Sequence, residues 1–231
     1  MTFELLLLWI ALISAFGVGG AWYARHTGRA DALIALYVAF VVFSNIAASK
    51  TIAFDLGFAT FFAPAAVLIF SVTFLFTDIV NERFGRSETQ RMILIALASQ
   101  IAMMLFSYLV VHAVPAPFFA NQEAFVFVFG SVPRLVVASL IAFYLSENAD
   151  AYLFHWFRNL TGGRHLWMRN AFSSLPSMAL DSVLFVTIAF WGVMPVMPLI
   201  GGLIVIKWLV GIVDIPFMYL ARAVLGRSQN S

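Results

Sequence analysis

Residues Phe61 to Gly85 read FFAPAAVLIFSVTFLFTDIVNERFG, with no ionisable side chain before Asp78. Continued to Val80, the run supplies the roughly 20 predominantly apolar residues that a helix needs to cross a bilayer. Polar side chains then arrive together as Asp78, Asn81, Glu82 and Arg83. Ser71, Leu75, Asp78 and Glu82 succeed one another at helical spacing, which predicts a polar stripe pointing into protein rather than lipid. Asp78 and Glu82 are therefore candidate pathway or coupling residues.

The surrounding chain has the same character. Of its 231 residues 63% are hydrophobic and 10% charged, against roughly 45–50% apolar and about 25% charged in soluble domains. This composition predicts an all-α integral membrane protein. Apolar segments of spanning length recur with short connections, leaving no room for a soluble domain of even about 50 residues. Residues 1–231 are thus expected to form a single transmembrane helical domain in the lipid bilayer.

Several chemistries are excluded. The chain has no Cys and four His without ligand spacing, so neither disulfides nor a metal site is expected. No Gly-rich loop carries the Lys and Ser or Thr that hold ATP phosphates, no HExxH helix occurs, and no nucleophile has a base beside it. The expectation is a protein without cofactors that is not an enzyme. A formal net charge of +2 does not call for a nucleic-acid partner, because the placement of the basic residues accounts for it.

Seven spans are predicted: Glu4 to Tyr23, Ala32 to Ser49, the opening run, Met92 to Val114, Phe125 to Asn148, Trp167 to Trp191 and Leu199 to Val224. Residues 1–30 read as an additional N-terminal helix and loop, Thr51 to Thr60 as a non-spanning connection and Asn81 to Arg91 as a polar loop. Pro133 and Arg134 interrupt the fifth span near its start, and Tyr152 to Arg158 reads as an interfacial stretch. Cytoplasmic loops hold the excess of Lys and Arg. Arg25 and Arg29, then Arg83, Arg86 and Arg91, then Arg158, Arg164 and Arg169, then Arg222 and Arg227 all fall on one side of this topology. The predicted orientation has the N-terminus outside and the C-terminus in the cytoplasm.

Charged residues inside the spans are the strongest functional signal. Arg134 and Lys207 each lie about 8 residues in from the outer end of their helices, roughly 12 Å deep at 1.5 Å per residue. Asp181 lies near the middle of its own span. An isolated charge there costs at least about 2.5–3.5 kcal/mol, so one acid between two bases is the expected cluster. The competing reading is an ion pair that only fixes helix register. Asn170, Ser173, Ser174, Ser177 and Asp181 share one helical face beside Pro176, a polar wall running from the cytoplasmic end to the midplane. Small Ser side chains can equally serve close helix packing. Lys207, Gly211 and Asp214 share a face of the last span, with Asp214 a counter-ion, a proton site or simply a group looking toward water. Asn45 and Gln100 offer amides that both donate and accept, as recognition of a polar ring requires; a buried Asn is also common helix glue.

SNIAASK from Ser44, TDIVNERFG ending at Gly85, the Arg134 helix, ALDSVLFVTIAFWG from Ala179, and the Lys207 helix with Pro216 downstream together resemble the queuosine precursor transporters, also called vitamin uptake transporters. The resemblance covers Ala32 to Arg222. It implies an inner-membrane carrier importing 7-deazaguanine bases such as 7-cyano-7-deazaguanine, with no ATPase of its own. It also implies a six-helix core over residues 32–222, similar to the substrate-binding subunits of energy-coupling-factor vitamin importers. Asn45, Asp78, Arg134, Asp181 and Lys207 occupy the family's motif positions and are expected to line the pathway.

Chemistry adds a binding scheme. The ring N–H and exocyclic amine of a 7-deazaguanine suit a carboxylate, for which Asp181 is the candidate. Lys207 or Arg134 would take the carbonyl oxygen, and Asn45 and Gln100 the remaining ring atoms. The Ser173 to Asp181 stripe would lead inward. A binding subunit that needs a partner energising complex is the first rival reading, and an intramembrane enzyme using Asp78 and Asp214 the second. Two-fold pairing into a homodimer is also compatible with the sequence.

Overall fold

The computed structural model describes residues 3–160 and 166–225. Among them the chain forms α1 (Phe3–Thr27), α2 (Asp31–Ala47), β1 (Thr51–Asp55), β2 (Thr60–Pro64), α3 (Val67–Phe84), α4 (Arg86–His112), α5 (Gln122–Gly130), α6 (Val132–Leu160), α7 (Leu166–Phe190) and α8 (Val196–Leu225). Among the described residues three stretches are both long and apolar enough to cross a membrane: Glu4–Thr27, Arg86–His112 and Gln122–Asp150. Shorter apolar helical stretches cover Asp31–Ala47, Leu175–Phe190 and Val196–Ile212. This is the architecture of an all-α membrane protein with one small β insertion.

The helices close into a ring. α2 touches α3, α3 touches α8, α8 touches α7, α7 touches α6, α6 touches α4, and α4 returns to α2. α1 lies against α8 and α3, outside that circuit of six. Trp9 on α1 donates its indole N–H to the Leu68 carbonyl at 2.7 Å, and Arg25 reaches the Val224 carbonyl at 2.9 Å. Two apolar cores result, and α3 belongs to both. One joins Ile13, Leu33, Phe76, Ile79 and Met92 of α1 to α4; the other joins the hairpin to Val67, Leu135, Ala142, Val186, Leu203 and Ile206.

The hairpin corrects the sequence reading of the third span. Phe61 to Pro64 are strand, and the helix begins only at Val67. Pro64 lacks an N–H and biases Ala63 toward extended backbone, so the apolar run changes structure at that point. The antiparallel register pairs Thr51 with Pro64 and Asp55 with Thr60. At the tip Gly57 adopts φ +83°, and its N–H donates to the Asp55 carboxylate at 2.9 Å. Phe54 and Ala63 turn into the core. β2 lies flush on the start of α8: a Cβ at Gly202 would fall 1.9 Å from the Phe62 carbonyl oxygen. Gly202→Val is therefore expected to destabilise the fold by at least about 1–3 kcal/mol through overpacking. Gly201→Val, where a Cβ meets nothing within 4 Å, provides the matched control in a thermal melt.

Three other boundaries also move. The polar Asn81 to Arg91 segment is not a loop: α3 runs to Phe84, Gly85 turns at φ +83°, and α4 starts at Arg86. Glu88 and Arg91 pair at 3.0 Å across one helical turn, so these charges favour helix rather than coil. Pro133 sits just inside the start of α6, where its missing N–H has no helical partner to lose. Tyr152 to Arg158 continues α6 instead of forming a separate interfacial element.

Candidate substrate site

The site begins with two antiparallel helices joined by a short turn. Asp181 lies nine residues before the end of α7 at Phe190, and Lys207 eleven after the start of α8 at Val196. At 1.5 Å per residue both stand about 15 Å from that turn. They meet: the Lys207 ammonium donates to Asp181 Oδ2, with side-chain exposures of 13% and 24%. Val186 and Ile206 on the same two helices are buried in one apolar core. Ser177 is buried one turn from Asp181, and Ser182 is buried with its hydroxyl donated to the Met178 carbonyl at 2.8 Å.

Arg134 is not part of a charge triad. Its Nε donates to the Ile188 carbonyl and a terminal guanidinium nitrogen to the Trp191 carbonyl, both at 2.7 Å. Ile188 is seven residues beyond Asp181, about 10 Å of helix rise. The last carbonyls of a helix lack intrahelical donors and carry its negative dipole end, which suits a planar guanidinium. Arg134 thus fastens the Phe190 end of α7 to α6, and the expected three-member cluster resolves into an ion pair and a separate helix cap.

Across the ring, Asn45 on α2 and Gln100 on α4 find each other. Asn45 Nδ2 donates to Gln100 Oε1 at 3.0 Å and to the Val41 carbonyl at 3.0 Å, and both residues are buried. Within the ring, α3 and α6 touch both helix pairs. The six-helix ring therefore carries a carboxylate–ammonium pair on its α7–α8 side and an amide pair on its α2–α4 side.

The remaining candidates are distributed differently. Asp78 and Glu82 are exposed in the last turns of α3, although Leu75 is buried; the predicted inward stripe emerges to the surface at its charged end. The side chains of Ser71, Ser173 and Asp214 lie outside the described residues. Sequence reading missed two acids on α6, Glu147 and Asp150. Glu147 lies within electrostatic reach of Asp150 and Asp181, and Asp150 Oδ1 is buried without a hydrogen-bond partner among the described residues. Their three-residue spacing at the end of a span was the available signal.

Residues 64–221 match the family model described as "Putative vitamin uptake transporter". The chain belongs to the vitamin uptake transporter family. The match starts at the last residue of β2 and ends in α8, so it includes Gln100, Arg134, Asp181 and Lys207 and leaves α1 and Asn45 outside. The chain is also 26% identical over 168 residues to the "Probable queuosine precursor transporter" of Bacillus subtilis (strain 168), covering 71% of this chain and 73% of that relative. No solved structure matches. Membership of a transporter family accords with the apolar helices and places the uptake transporter in a membrane.

Proposed function

We propose that this vitamin uptake transporter imports a queuosine precursor, 7-cyano-7-deazaguanine or a related 7-deazapurine base, across the inner membrane by alternating access and without an ATPase of its own. The observation that carries this reading is the opposition of two hydrogen-bonding pairs, Asp181 with Lys207 and Asn45 with Gln100, on two sides of one helical ring. In the empty carrier each pair satisfies itself. An entering base exchanges those internal bonds for its own: its ring N–H and exocyclic amine donate to the Asp181 carboxylate, and Lys207, released, donates to the ring carbonyl. The amides can each donate and accept, so they can open toward the remaining ring atoms without leaving a buried group unpaired. Arg134 takes no part in the contact; it holds α7 in place.

The N-terminus faces outward and the C-terminus the cytoplasm, following the basic residues at the α1–α2, α3–α4 and α6–α7 connections and the end of α8. The base enters near the hairpin and leaves past Ser177 and Ser173, with Asp78, Glu82 and Asp214 toward the cytoplasmic side. The bilayer and the base are the partners this reading requires, and a homodimer remains compatible with it.

The competing reading within the family is a binding subunit that depends on an energising complex. Vesicles containing only this chain distinguish the two. Accumulation or exchange of labelled 7-cyano-7-deazaguanine without added partner supports a carrier; binding without transport supports the subunit. Binding is tested separately by melting: at a hundred times its dissociation constant the base is expected to stabilise the protein by about 2.7 kcal/mol. Guanine and unrelated vitamins serve as comparisons, and equal stabilisation by all of them contradicts the assignment.

A further inference from the structure

Along the same α2–α4 seam that holds Asn45 and Gln100, nearer the opposite ends of those helices, lies a groove of about 860 Å³. Its rim forms where two tight connections come together, the α1–α2 turn with Gly28 at φ +64° and the α3–α4 turn with Gly85 at φ +83°. Arg29 and Asp31 pair at 2.8 Å on one side, and Arg91 and Glu88 at 3.0 Å on the other. Beyond the rim the walls become apolar, with Val38 on α2 and Ile95 on α4. Each is seven residues from the acid on its own helix, about 10 Å of rise. The groove therefore has charge at one end and hydrocarbon at the other.

That division is the one a phospholipid presents at a membrane interface. Basic pockets between transmembrane helices on the cytoplasmic side recruit lipid head groups, and the basic residues predict that these two turns face the cytoplasm. The balance of charge narrows the ligand. The two cations and two anions of the rim leave it neutral, so a head group carrying only a phosphodiester would satisfy the arginines while repelling Asp31 and Glu88. One that also carries an ammonium satisfies all four. A primary ammonium donates up to three hydrogen bonds to carboxylates, whereas a quaternary one donates none. Arg29 and Arg91 each retain guanidinium N–H groups beyond the one used in the ion pair, free to take phosphate oxygens.

We propose that this groove binds a phospholipid whose head group joins a phosphodiester to a primary ammonium, as in phosphatidylethanolamine, with its acyl chains along Val38 and Ile95. The lipid then ties the α1–α2 and α3–α4 turns together beneath the amide pair. The inference needs insertion in a membrane and not the proposed cargo, so loss of base transport leaves it standing.

Delipidated full-length protein, offered equal amounts of phosphatidylethanolamine, phosphatidylcholine and phosphatidylglycerol, is read by native mass spectrometry. Phosphatidylethanolamine is expected to be retained over the other two by about tenfold. Arg29→Gln/Arg91→Gln should abolish that preference, and Asp31→Asn/Glu88→Gln should shift it toward phosphatidylglycerol. Val38→Trp, which fills the apolar wall and leaves the charges in place, should also lower retention and covers the case in which a charge variant fails to fold. Equal retention of the three lipids, a wild-type preference for phosphatidylglycerol or phosphatidylcholine, or unchanged retention in Val38→Trp overturns the proposal. Displacement by free phosphoethanolamine at the lipid's own concentration overturns it too, since the site would then be one for a soluble head group.

Discussion

Asp181→Asn is expected to lower uptake of labelled 7-cyano-7-deazaguanine by about 100-fold or more, from the loss of charge-assisted hydrogen bonds worth roughly 1.5–3 kcal/mol each. The amide keeps the size of the carboxylate but turns one acceptor into a donor. That donor faces the ring N–H or the exocyclic amine, so the edge contact is lost and a donor–donor clash replaces it. The same substitution removes the partner of Lys207, whose side chain is 13% exposed. Breaking a buried pair from one side costs up to about 3–5 kcal/mol, reduced here to the extent that the ammonium reaches water. Uptake at the wild-type rate, with normal protein abundance, contradicts the assignment of Asp181 to the base.

Arg134→Leu should give the opposite pattern. It removes two hydrogen bonds from a charged donor to carbonyls at the end of α7, together worth up to about 3 kcal/mol by the lower figure for charged donors and less in so far as the exposed guanidinium is solvated. Melting is expected to fall markedly while the folded fraction binds the base within about threefold of wild type. Arg134→Lys should recover only part of the stability, because an ammonium cannot reproduce the fork that spans two carbonyls. An Arg134 variant with unchanged melting and weakened binding would return this residue to the contact surface.

The sequence made the ion pair legible through depth alone. Asp181 lies near the middle of its span and Lys207 well inside the next, and an unpaired charge in the hydrocarbon is too costly to leave open. The same reasoning misplaced Arg134, because a depth estimate counts side-chain charges and overlooks backbone carbonyls at a helix end. That the chain is built from apolar helices was also readable, as a recurrence of apolar runs. The ring that orders those helices was not, since apolar composition does not say which helix neighbours which. The hairpin was hidden for a related reason: FFAP and the run after it are equally apolar, and only Pro64 marks the change from strand to helix. Asn45 and Gln100 stood out as buried amides, but their mutual bond joins residues 55 positions apart and has no local signature. Glu147 and Asp150 were passed over because the predicted span ended between them, and acids at a membrane boundary look like ordinary solvated ones.

The central claim is that the paired charges exist to receive a base and not merely to hold two helices in register. Equilibrium binding of labelled 7-cyano-7-deazaguanine to purified Asp181→Asn/Lys207→Met tests it most directly. Replacing both partners removes the unpaired charge that either single change leaves, so the double variant is expected to melt close to wild type. The account predicts a folded, stable protein in which binding of the base is lost; a double variant that binds it as wild type does would reduce the pair to a structural fastening and contradict the account.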